Sequence, residues 1–191
     1  MSHIRRMALA AALAVALAVA TTAVPAHADT CTASANCNTT VTFTVSAGAG
    51  LQITVPNGPL SIGSGGPGTT VSGQLGSVTV SDARATVTAT WVAQVSATDF
   101  TTGGGTAAET IASSHISYWS GPATATTGTG TFVPGQANAA SSVVLDQTRI
   151  AFSKTAGSGS NSATWNPTVV VDVPAQAVAG TYTGVVRHSV A

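Results

Sequence analysis

Over most of its length the chain alternates apolar and polar residues with a period of two, which predicts strands that bury one face. Val41, Phe43 and Val45 alternate with Thr and Ser, and Leu51, Ile53 and Val55 repeat the pattern before Pro56-Asn57-Gly58-Pro59 turns the chain. From Pro59 to Gln74 the residues are mainly Gly, Ser and Thr with Pro67, a composition that predicts a loop; Val78 and Val80 then open another strand. The longest alternating run extends from Arg84 to Phe100 and puts Ala85, Val87, Ala89, Trp91, Ala93 and Val95 on one face, as expected for a half-buried central strand. A Gly-rich loop follows over residues 101–110. Short strands are predicted near 116–119, 131–133, 142–145 and 149–152, with a flexible turn over 153–162.

The last third carries the sharpest pattern. Trp165, Pro167, Val169, Val171 and Val173 share one face, and after Ala179-Gly180 a final strand places Tyr182, Val186, His188 and Val190 together. Many short strands separated by Gly, Pro and Ser turns, with almost no helical period, predict an all-β fold: an antiparallel β-sandwich of the immunoglobulin-like kind.

Residues 1–28 break the pattern. Arg5 and Arg6 precede an apolar stretch of Ala, Leu and Val from Met7 to about Val24, which Pro25 ends, and Ala26-His27-Ala28 offers small residues at the two positions read by a signal peptidase. The expected cut falls between Ala28 and Asp29. The apolar core is shorter than a spanning helix needs, so no membrane association is expected after cleavage. Asp29 and Thr30 stand before Cys31, so the new N-terminus lacks the cysteine that a lipid anchor requires. This divides the chain into a signal peptide (1–28), a lead-in segment (29–40) and one β-sandwich domain (41–191), secreted to the extracellular side.

Export makes the cysteines legible. Cys31 and Cys37 are the only two, and in an oxidising compartment they are expected to form a disulfide that closes a small loop. Neither a C-x-x-C spacing nor further ligands favour a redox or metal role. Asn38-Thr39-Thr40 matches a glycosylation acceptor, a pattern short enough to arise by chance.

Charge then narrows the partners. Charged residues make up 6% of the chain, against about a quarter in typical soluble domains. After residue 28 the bases are Arg84, Arg149, Lys154 and Arg187, against Asp29, Asp82, Asp99, Glu109, Asp146 and Asp172. With no basic cluster, binding to nucleic acid or to an anionic membrane is not expected. Thr and Ser supply the polar surface instead, which suits contact with neutral polymers, wall glycan or protein neighbours.

Catalytic signatures are missing from the sequence. His115 and His188 are the imidazoles beyond residue 28, neither in a nucleophile or hydrolase motif, and the acids are scattered. No calcium loop of the D-x-D-x-D-G kind occurs. The expectation is a non-catalytic protein with no cofactor and no metal. Among the aromatics, Trp91 in mid-strand is expected in the core, and Trp165 either caps the core or lies exposed. Tyr118 and Trp119 are neighbours on one strand and must face opposite sides, so one of them approaches the surface and offers a place for sugar rings to stack. Tyr182 is expected to bury its ring and tie its hydroxyl to backbone.

Two stretches add a family resemblance. Trp91-Val92-Ala93-Gln94-Val95-Ser96-Ala97-Thr98-Asp99-Phe100, and Trp165-Asn166-Pro167 leading to Ala179-Gly180-Thr181-Tyr182-Thr183-Gly184, resemble the WxL domain of Gram-positive surface proteins. The first Trp-x-Leu motif falls on Trp91-Val92-Ala93, which keeps the Trp, and the second on His188-Ser189-Val190, which keeps neither residue. The resemblance implies a β-strand fold and noncovalent attachment to the cell wall through peptidoglycan or another wall polymer. Trp91, Tyr118, Trp119, Trp165 and Tyr182 are the candidate wall-binding or motif residues. The alternative is a structural subunit that associates with itself, or with other surface proteins, into a layer or fibre. The apparent strand from Tyr182 to Ala191, which ends with no charged tail, motivates it, as an edge able to pair with another chain.

Overall fold

The computed structural model describes residues 39–191, so the signal peptide, its cleavage at Ala28 and Asp29, and the Cys31–Cys37 disulfide lie outside the described residues. The chain from Thr44 to Ala191 makes one compact unit. Its fourteen strands pair antiparallel, and the described residues contain no α-helix, only three single-turn 3-10 segments.

Sheet I has the order β1 (Leu51–Thr54), β3 (Val78–Asp82), β12 (Asn161–Trp165), β8 (Ala123–Thr127). Sheet II has the order β10 (Val143–Val144), β7 (Ile116–Trp119), β13 (Thr168–Asp172), β2 (Thr70–Gln74). Sheet III has the order β14 (Val186–Val190), β4 (Trp91–Ala97), β11 (Arg149–Lys154), β9 (Phe132–Pro134). A two-residue pair, β5 (Phe100–Thr101) with β6 (Thr110–Ile111), completes the set.

Sheets I and II are one bent layer. Strand β2 runs on into β3, β7 into β8 and β12 into β13, each after a break of two or three residues, and these breaks bring the same three neighbours together in both sheets. The interruptions contain Gly76 (φ 88°), Gly121 (φ 69°) and Asn166-Pro167, residues that leave or cannot continue a regular ladder. Sheet III faces this layer. Its Phe152 stacks on Trp165 of sheet I at 4.8 Å between ring centroids, and Trp91, Ala93 and Val95 point into the same core as Val78, Val80, Ala163 and Val169. Burying these large side chains supplies the main stabilisation of a chain so poor in charge.

Four sequence expectations are corrected. Val41, Phe43 and Val45 are in no strand and are 78%, 86% and 77% exposed: the alternation is there, but no ladder among the described residues includes them. The predicted central strand begins only at Trp91. Arg84 bonds Asp82 through Nε and Nη2 and the Thr90 carbonyl through Nη2, while Ala85 adopts a left-handed φ of 54°, so residues 84–90 close into a loop with Val87 on its outside. Strand β2 lies inside the stretch read as a loop over 59–74, because pairing to β13 from Gln74↔Thr168 to Thr70↔Asp172 outweighs its weak intrinsic signal. Finally, Trp165 and the Val169–Val171 face share one core but belong to two strands, divided at Asn166-Pro167. Strands β8 and β12 were likewise hidden in Thr, Ser and Gly.

Candidate functional site

The candidate aromatics divide between the core and the surface. Trp91 is 2% exposed, and its indole N–H donates to Asn161 Oδ1 at 2.9 Å. Trp165 is fully buried and donates to the Tyr118 hydroxyl at 3.2 Å; that hydroxyl in turn lies 3.2 Å from His188 Nε2. One phenol therefore ties together sheets II, I and III. The Trp165 N–H donates to the phenol oxygen, and the Tyr118 hydroxyl and His188 Nε2 share the second bond, in a direction set by the His188 tautomer. Burial pushes the Tyr118 pKa up and lowers that of His188 to about 4, so this chain of bonds stays intact at neutral pH. Tyr182 half-buries its ring, and its hydroxyl lies 3.0 Å from the Val178 carbonyl and 3.1 Å from that of Ala108, tying the strand's approach to the 107–109 turn.

A second buried network was not visible in the sequence. Arg84 beside it holds the enclosed Asp82 carboxyl down at about 2, and Asn161 donates to the same carboxylate while accepting from Trp91. Lys154, 1% exposed, donates to the carbonyls of Ala89 (2.7 Å) and Ala156 (2.6 Å), and its ammonium stands 5.8 Å from the Phe132 ring centroid. In a chain this poor in charge, the interior positions of these groups mark them as fasteners: each closes the 84–90 loop or the turn after β11. No group of three or more His, Cys, Asp or Glu that could hold a metal occurs among the described residues.

Trp119 is different. It follows Tyr118 on β7, so its ring falls on the outer face of sheet II, half-buried, against Gly121, where an added Cβ would come 3.4 Å from the ring. The indole N–H groups of Trp91 and Trp165 are used inside the core, whereas that of Trp119 has no acceptor among the described residues. Register places Thr168 and then Gln74 beside it across β13 and β2, and the next row is Ser117, Val170 and Ser72. Ser72 and Gln74 are exposed, and the charge on this face is Asp172, whose carboxylate accepts from Thr70 at 2.8 Å. The result is a half-exposed aromatic beside the buried Thr168 and next to Val170, with the exposed Ser72 and Gln74 beyond them, on a surface of three strands. Such a surface can stack the apolar face of a sugar ring and hydrogen-bond its hydroxyls without desolvating a charge.

Sequence reasoning located Trp119 but not its setting, because Ser72 and Gln74 sit in the stretch read as loop. A shallow hollow of about 260 Å³ also occurs on sheet III, lined by residues including Gln94, Thr148, Arg187 and His188, with Arg187 its one permanent charge. Compared with family models, curated proteins and solved structures, the chain finds no match.

Proposed function

We propose that this chain is an exported, non-catalytic β-sandwich protein of the cell surface that holds a neutral wall polymer, peptidoglycan or wall glycan, noncovalently on the outer face of sheet II. The observation that carries this reading is Trp119. Of the five candidate aromatics it alone combines a half-exposed ring, an indole donor without an acceptor among the described residues, and neutral polar side chains along the same face of three strands. The signal-peptide pattern and the WxL resemblance support the compartment and the ligand class. The Trp of the resembling motif, Trp91, serves the core, so the binding face is assigned to Trp119 and not to that motif.

The test is sedimentation of the purified protein with insoluble peptidoglycan, wild type beside Trp119→Ala. Cosedimentation of the wild type and its loss in a folded Trp119→Ala protein is the expected result. A wild type that stays in the supernatant overturns wall binding, and equal sedimentation of both proteins overturns the assignment to this face.

A further inference from the structure

Residues 39–47 read Thr-Thr-Val-Thr-Phe-Thr-Val-Ser-Ala, the composition of a strand with one apolar face, and yet no ladder of the described residues includes them. Their three large apolar side chains are among the most exposed of the described residues. The β1–β3 pairing is continued backwards only as far as Gly48, whose N–H donates to the Ala83 carbonyl; Ala83 donates in turn to Gly50, which has φ 89°. The segment is thus a strand by pattern, set off by a glycine joint and without a ladder partner among the described residues. We infer that residues 39–47 are a donor strand that adds to the free edge of β8 in a second copy of this chain.

The choice of edge follows from how each sheet ends. Edge strands are protected by Pro, by charge, by shortness or by a covering segment. Strand β9 ends in Pro134, β14 carries Arg187, β10 has two residues, β1 lies alongside β14, and the inner face of β2 is already covered at Gly73 by Ile62, whose backbone an added Cβ would meet at 2.6 Å. Strand β8, Ala-Thr-Ala-Thr-Thr, has none of these and is exposed at four of its five positions. It bonds β12 on one side, then turns through residues 128–131 into β9 of the opposite sheet, so its other side stays unpaired. Across that opening Phe132 on β9 is only partly buried. An incoming strand that turned Val41, Phe43 and Val45 inward would cover Phe132 and extend the layer that holds Trp165 and Ala163. Neither β8 nor residues 39–47 carries a charge to oppose the pairing.

Because donor and acceptor are different surfaces, each copy can give one strand and take another, which produces head-to-tail chains or rings. Analytical ultracentrifugation of the purified protein over a concentration series tests this, with Phe43→Asp, Thr126→Lys and Val87→Asp beside the wild type and circular dichroism as the check on folding. Thr126 pairs with the buried Ala163 and so faces inward on the edge, where a lysine blocks strand addition. The expected result is wild-type assembly that grows with concentration, at least tenfold weaker association for Phe43→Asp and Thr126→Lys, and an unchanged Val87→Asp. A monomeric wild type at all concentrations overturns the inference. Loss of assembly in Val87→Asp as in Phe43→Asp reduces it to general stickiness and also overturns it. Assembly lost in Phe43→Asp but kept in Thr126→Lys overturns the β8 edge.

Discussion

Val41-x-Phe43-x-Val45 and Trp91-x-Ala93-x-Val95 carry the same period-two pattern, and their fates are opposite. Trp91, Ala93 and Val95 are enclosed, in a strand paired on both sides by β14 and β11. Val41, Phe43 and Val45 are among the most exposed large apolar side chains of the described residues. Alternation reports that a segment can bury one face, and the topology decides whether anything is there to bury it. The same lesson separates Tyr118 from Trp119, adjacent residues of which one links three sheets and the other faces outward.

The contrast can be broken most sharply in the core. Trp165→Ala removes the ring stacked on Phe152 and the donor to Tyr118, and should cost about 3–5 kcal/mol of stability in chemical denaturation. A loss below about 1 kcal/mol would show that the junction is not central. Lys154→Met keeps the stem but leaves the Ala89 and Ala156 carbonyls without their donor, with an expected loss of about 1–3 kcal/mol.

The pH dependence sharpens the picture further. A folded His188 pKa of about 4, below its ordinary 6.5, means that the unfolded chain takes up a proton before the folded one does. Stability is therefore full above pH 6.5 and falls as the pH drops from 6.5 to about 4, by at most about 3 kcal/mol. His188→Gln should flatten that slope in denaturation curves measured at stepped pH. The Asp82 carboxyl, ordinarily near 3.8 and held at about 2, adds a separate decline below pH 3.8 that His188→Gln leaves in place. The smallest effect belongs to the exposed segment: Phe43→Ser should change the stability of the dilute, monomeric protein by no more than about 0.5 kcal/mol.

The fold class and the apolar strands were legible because Val, Ile, Trp and Tyr alternate there; β7 and the Val78–Val80 strand fall where the pattern puts them. Strands β2, β8 and β12 were not legible. Thr, Ser and Gly fill both faces of β2 and β8, and Asn161-Ser162-Ala163-Thr164 resembles a turn until Trp91 and Asp82 supply partners for Asn161. The loop over 84–90 was hidden by its alternation, since nothing in the sequence shows that Arg84 reaches both Asp82 and Thr90. At the candidate site the Tyr118–Trp119 alternation announced an outward ring, but its neighbours depend on pairing between residues about fifty positions apart, which no local pattern reports.

The central claim is that one tryptophan of three is partly exposed and meets the wall polymer. Acrylamide quenching of tryptophan fluorescence, with and without solubilised peptidoglycan fragments, tests it most directly. The account predicts one quenchable tryptophan, absent in Trp119→Ala, that the fragments protect. Quenching of Trp119 that the fragments leave unchanged would contradict it.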